Sequence, residues 1–124
     1  MRKFSTTSRL PFSPLTMAEF YVLAVLAQRK RGAYTLCRQI AAESSHSIII
    51  SDGHMSRLLS RLADEGLITS EMKVGRTTPY NLTDNGRDRL RDEISKHQRA
   101  IFIAEKNLHV EPPVNPAAIA LLMS

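Results

Sequence analysis

The spacing of apolar and polar positions predicts three helices, a hairpin and then a long helix. Thr16 precedes Glu19 by three positions and an apolar run follows, the pattern of a capping box, so a helix is expected over residues 17–29. Its inward face would be Phe20, Leu23, Ala24 and Ala27, widened by Val22 and Leu26. Arg29-Lys30-Arg31 then sets positive charge at the negative end of the helix dipole. Residues 34–43 read as a shorter helix with Leu36 and Ile40 inward, and Ser44-Ser45-His46-Ser47 breaks the period. After the apolar connector Ile48-Ile49-Ile50, Ser51 is placed to cap a third helix in which Met55, Leu58, Leu59 and Leu62 form one stripe.

Asp64-Glu65-Gly66 ends that helix. Residues 67–73 read as a strand with Ile68 and Met72 on one side, Gly75 permits a turn, and residues 78–82 return with Tyr80 and Leu82 on one face. Pro79 cannot donate to a ladder and so fits an edge or tip. Thr83 then caps a further helix, with Asp84 in its first turn. Along it Leu90, Ile94, His97, Ile101, Ala104 and Leu108 follow the alternating four- and three-residue steps of a coiled-coil seam, and Phe102 and Ile103 would enlarge the contact onto the core. So narrow a seam calls for a partner helix, and Leu90, Ile94, His97, Ile101, Phe102, Ala104 and Leu108 are the expected dimer interface. The other reading is a helix packed on its own domain.

This order predicts a mainly α fold with a small β-hairpin: a winged helix-turn-helix followed by a long C-terminal dimerisation helix. Four segments are expected. Residues 1–15, with Arg2, Lys3 and Arg9 and no acid, would be a flexible basic arm; residues 16–83 the winged-helix domain; residues 84–109 the dimerisation helix; and residues 110–124 a tail holding a short apolar helix.

Charge points to an anionic partner, and composition alone does not separate nucleic acid from an anionic membrane surface. Formal charge is +5 across 124 residues, which favours polyanions. Opposite the apolar stripe of the third helix stand His54, Ser56, Arg57, Ser60 and Arg61. Arginine can donate two parallel hydrogen bonds to a guanine edge, and serine reaches a base or phosphate without blocking close approach. A hairpin beside that helix would bring Lys73, Arg76, Thr77 and Thr78 to flanking phosphates, and Ser51 stands at the helix start. Double-stranded DNA is therefore the expected partner. An ordinary solvated face is the plainer reading of these residues, and a winged-helix assembly or adaptor module without sequence-specific DNA binding is the alternative function.

Catalysis finds little support. His46, His54, His97 and His109 lack metal-ligand spacing, and neither Gly75 nor Gly86 belongs to a phosphate-binding loop, so no catalytic, metal or cofactor site is expected. Cys37 is the only cysteine, which excludes an intrachain disulfide and suits a reducing cytoplasm. No apolar run approaches the ~20 residues that cross a bilayer, so no membrane partner is expected.

The chain resembles the PadR-like winged-helix transcriptional regulators over about residues 16–90. The likeness lies in Phe20-Tyr21-Val22-Leu23, in RGAYTL from Arg31 to Leu36, and in Ser51-Asp52-Gly53. It is most telling in LSRLADEGLI from Leu59 to Ile68 and YNLTDNGR from Tyr80 to Arg87. MarR-like regulators, which end their wing similarly, are the nearest alternative. The resemblance implies winged-helix transcriptional regulation, dimerisation through the C-terminal helix, and small aromatic or drug-like effectors held between subunits; the function expected is that of a dimeric repressor on a roughly palindromic operator. Two positions depart from the family: Ala33 separates Gly32 from Tyr34, and Ser56 stands where a tyrosine is usual. No operator is carried over.

Overall fold

The computed structural model describes residues 14–108, so most of the expected basic arm and the whole expected tail lie outside the described residues. Its elements run α1 (Met17–Leu26), α2 (Ala33–Glu43), α3 (Asp52–Asp64), β1 (Ile68–Ser70), β2 (Tyr80–Leu82) and α4 (Asp84–Leu108). The chain divides within α4 into units Met1–Glu93 and Ile94–Ser124, and the first takes in the opening turns of that helix.

The core of the first unit is one apolar cluster. Val22, Leu23, Val25 and Leu26 enter it from α1, Leu36 and Ile40 from α2, and Met55, Leu58, Leu59 and Leu62 from α3, with Ile68, Leu82 and Leu90 closing it. The stripes expected on α2 and α3 are therefore the buried ones. On α1 the face is displaced: Ala24 is exposed, while Val25 and even Glu19 are buried. Both halves of the expected capping box form, with Glu19 N donating to Thr16 Oγ1 at 3.2 Å and Thr16 N to Glu19 Oε1 at 2.8 Å.

α1 ends at Leu26 and not near Arg29, because the chain must turn to bring Arg31 against the sheet. Arg31 N donates to Tyr80 O at 3.1 Å and Tyr80 N to Arg31 O at 2.9 Å, which adds one residue to the free edge of β2. The Arg31 side chain is buried, and its Nη1 donates to Val25 O at 2.6 Å while Nη2 meets Gln28 Oε1. A guanidinium thus caps the carbonyl end of α1, where the helix dipole favours a cation.

β1 and β2 pair antiparallel with Ile68 opposite Leu82 and Ser70 opposite Tyr80. Val74 and Thr77 bridge across the tip, where Gly75 at φ 63° makes the first corner of a two-residue turn. From Ser70 to Val74 the first strand takes one more step than its partner takes from Tyr80 to Thr77. The extra residue breaks the alternation, so Met72 stands 87% exposed and not beside Ile68 as its spacing predicts. Thr83 caps α4 as expected: its Oγ1 accepts from Gly86 N at 3.0 Å and donates to Gly66 O at 2.6 Å.

Candidate nucleic-acid interface

α3 begins at Ser51, whose Oγ accepts from His54 N at 3.2 Å. With Met55, Leu58, Leu59 and Leu62 turned into the core, the helix has one outward face, and His54, Ser56, Arg57 and Ser60 are all exposed on it. Arg57 Nη1 lies beside Gly53, where an added Cβ would stand 3.6 Å away, so the guanidinium reaches back toward the helix start. The opening residues of a recognition helix are those that meet base edges.

The hairpin stands next to this face. A cleft of about 410 Å³ opens between the first turn of α2, the start of α3 and the wing, lined in part by Asp52, Ser56, Arg76, Thr77 and Thr78. The fold therefore joins the expected reading residue Ser56 to three of the four expected wing residues. Gly32 allows the close fit, because a Cβ there would overlap the Thr77 methyl group. Lys73 is exposed on the wing. Among the described residues, Arg57, Lys73 and Arg76 make no hydrogen bond or ion pair, so their charge is free for an external anion.

Arg61 is placed differently. It is half-buried, and its Nε lies 3.2 Å from Oε2 of Glu19, a carboxylate with no exposed surface. It still edges a shallow hollow of about 220 Å³ on α3 with Ser56, Arg57, Ser60 and Asp64.

Sequence reasoning missed the contribution of α2. Tyr34 and Thr35 line the cleft, the Arg38 guanidinium lies 5.7 Å from the Tyr34 ring centroid, and the start of α2 has no side-chain cap. Uncapped N–H groups at a helix start suit a phosphate oxygen. The signal was present in Gly32-Ala33-Tyr34-Thr35, a helix start with no capping serine, threonine or acid. Cys37 is half-buried, and burial, with the Asp52 carboxylate adding to it, holds its thiol above the ordinary value. That is the wrong direction for a reactive thiolate.

Of the seam residues, Leu90 is buried in the core of the first unit and so is occupied within its own domain. In the second unit Ile101, Phe102 and Leu108 are 57%, 66% and 74% exposed, Ile94 and Ala104 are exposed, and His97 is half-buried. Phe102 and Ile103, expected to extend the contact onto the core, are both open to solvent. No helix among the described residues is long and apolar enough to cross a membrane.

Three packed helices with the third exposing a polar, cationic face, and a hairpin flanking that face, define a winged helix-turn-helix protein of the DNA-binding regulatory class. Residues 22–92, more than half of the chain, match the transcriptional regulator PadR-like family, and the chain belongs to that family. Solved structures share the fold. A transcriptional regulator from Clostridium thermocellum aligns with a TM-score of 0.67 at 18% identity, over 72% of this chain and 87% of its own. A PadR-like transcriptional regulator from Bacillus cereus gives 0.65 at 22% identity, over 75% and 92%. A PadR family regulator from Clostridium difficile gives 0.60 at 23% identity, over 75% and 98%. No curated protein matches this sequence.

Proposed function

We propose that this PadR-family regulator is a cytoplasmic repressor that binds a roughly palindromic operator as a homodimer. The observation that carries the reading is the cleft in which Ser56 of α3 meets Arg76, Thr77 and Thr78 of the wing, with Arg57 on α3 and Arg76 on the wing both unpaired. Arg57, Ser56, Ser60, His54 and Ser51 read the major groove, while Lys73, Arg76, Thr77 and Thr78 hold flanking phosphates. Two such heads on one duplex face would meet successive major grooves, which requires an inverted repeat.

The exposed stripe Ile94, Ile101, Phe102, Ala104 and Leu108 supports a second copy of the chain as the partner of α4. Residues 84–109 are then the dimerisation helix. A small-molecule effector would act by binding one arrangement of the two heads better than the other, because only differential affinity moves such an equilibrium.

Selection of bound sequences from a random duplex pool tests this reading. It predicts enrichment of an inverted repeat. Binding without enrichment leaves a non-specific basic protein, and no binding at low salt leaves a protein-assembly module.

A further inference from the structure

A polar strap joins the recognition helix to the first turns of α4, and the DNA-binding reading makes no use of it. Glu19 on α1 and Glu93 on α4 are 0% and 1% exposed. An ionised carboxylate is costly to bury unless its oxygens are matched by donors and opposite charge. Here each carboxylate holds one of two consecutive backbone N–H groups: Leu15 N donates to Glu93 Oε1 at 3.4 Å, and Thr16 N to Glu19 Oε1 at 2.8 Å. Beyond them, Glu19 pairs with Arg61 of α3 at 3.2 Å, and Glu93 with Arg89 at 3.2 Å. Residues 15 and 16 therefore tie α3 to the base of α4 through two buried anions.

We propose that Arg61 is a positioning residue: with Glu19, Glu93 and residues 15 and 16 it forms a strap that sets the angle of α3, and through that angle the set of duplexes the protein accepts. The proposal rests on the DNA-binding reading above. Arg57 and Arg61 are one helical turn apart, yet Arg57 is unpaired while Arg61 engages a carboxylate with no exposed surface. Glu19 and Glu93 are too deeply buried to touch a duplex, so any effect they have on base discrimination must pass through the placement of α3.

The test compares Arg61→Met, Arg61→Lys, Glu19→Gln, Glu93→Gln and the paired change Glu19→Gln with Arg61→Met. Each is titrated with the selected duplex and a scrambled one at several salt concentrations, and hydrogen exchange over Asp52–Asp64 is followed without DNA. Replacing both partners avoids an uncompensated buried charge, so the paired variant keeps the comparison open if a single change does not fold.

The strap predicts that Arg61→Met and Glu93→Gln each lose roughly two- to thirtyfold in discrimination, the range typical of coupled positions. The salt slope stays unchanged, Arg61→Lys recovers part of the loss, and α3 amides exchange faster. A slope reduced by about 1.8, one phosphate per subunit, in Arg61→Met alone would make Arg61 a phosphate contact and overturn the proposal. Unchanged discrimination and exchange in Glu93→Gln would overturn it as well. Should the wild-type protein select no duplex, the DNA reading fails while the exchange result still decides the strap: faster α3 exchange in Glu93→Gln supports it, unchanged exchange refutes it.

Discussion

Gly86→Ala tests how tightly the start of α4 is locked to the wing. Gly86 is buried in the first turn, and an added Cβ would overlap the Leu67 carbonyl oxygen while standing 2.6 Å from Leu82 Cδ1 and 3.0 Å from the Leu67 carbonyl carbon. The oxygen cannot simply retreat, because it accepts from Thr83 N at 3.1 Å. Relieving the overlap means separating α4 from β1 or giving up that bond.

Overpacking costs about 1–3 kcal/mol and a lost hydrogen bond about 1 kcal/mol, against which alanine in a helix regains up to about 1 kcal/mol. The net loss is about 2 kcal/mol, equivalent to a fall in Tm of roughly 8–16 °C for a domain of this size. Thermal unfolding followed by circular dichroism measures it. Gly53→Ala is the matched control: its Cβ would make only an ordinary 3.6 Å contact with Arg57 Nη1, so stability should hold or rise by about 0.5–1 kcal/mol. A Gly86→Ala protein as stable as wild type, or a control that falls as far, would refute the packing described at this junction.

Three further outcomes follow from the same structure. Arg57→Ala should weaken the selected duplex by about 1–3 kcal/mol per half-site and relax one base position in each, whereas Arg76→Ala should weaken all duplexes alike and reduce the salt slope by about 1.8, one phosphate lost per subunit; identical behaviour on specific and scrambled DNA would remove the division between reader and wing. Ile101→Asp should yield monomers in sedimentation, since losing about 1.5–3 kcal/mol of burial in each of two copies raises the dissociation constant at least about a hundredfold; an unchanged dimer places the interface elsewhere. At pH 8 Cys37 should react with iodoacetamide more slowly than a free thiol, because both causes of its raised pKa disfavour the thiolate, and Asp52→Asn should speed the reaction; faster alkylation of the wild-type protein would contradict this environment.

How far the sequence could be read varies with the contrast it carries. Helices α2 and α3 alternate apolar with polar residues, so Leu36, Ile40 and the Met55 stripe could be placed from spacing alone. α1 reads MAEFYVLAVL, nearly apolar all round, and a period without contrast left its face one residue out, with Ala24 assigned inward in place of Val25. Glu19 was legible as a cap, but nothing in the sequence says that its second oxygen receives Arg61, which looks on a helical projection like another outward cation. Leu90 shows a related limit. A heptad pattern is the same whether a residue packs within its own domain or on a partner, and only the tertiary structure shows Leu90 in the core. The wing was signalled by Gly75 and Pro79, whereas its extra residue, which turns Met72 outward, has no local mark.

The central claim, that two joined heads grip one duplex through α3 and the wing, is tested most directly by the salt dependence of binding to the selected duplex. If Lys73 and Arg76 of each subunit neutralise one phosphate apiece, log affinity falls against log salt with a slope of at least about −3.6. A slope near zero would contradict the account.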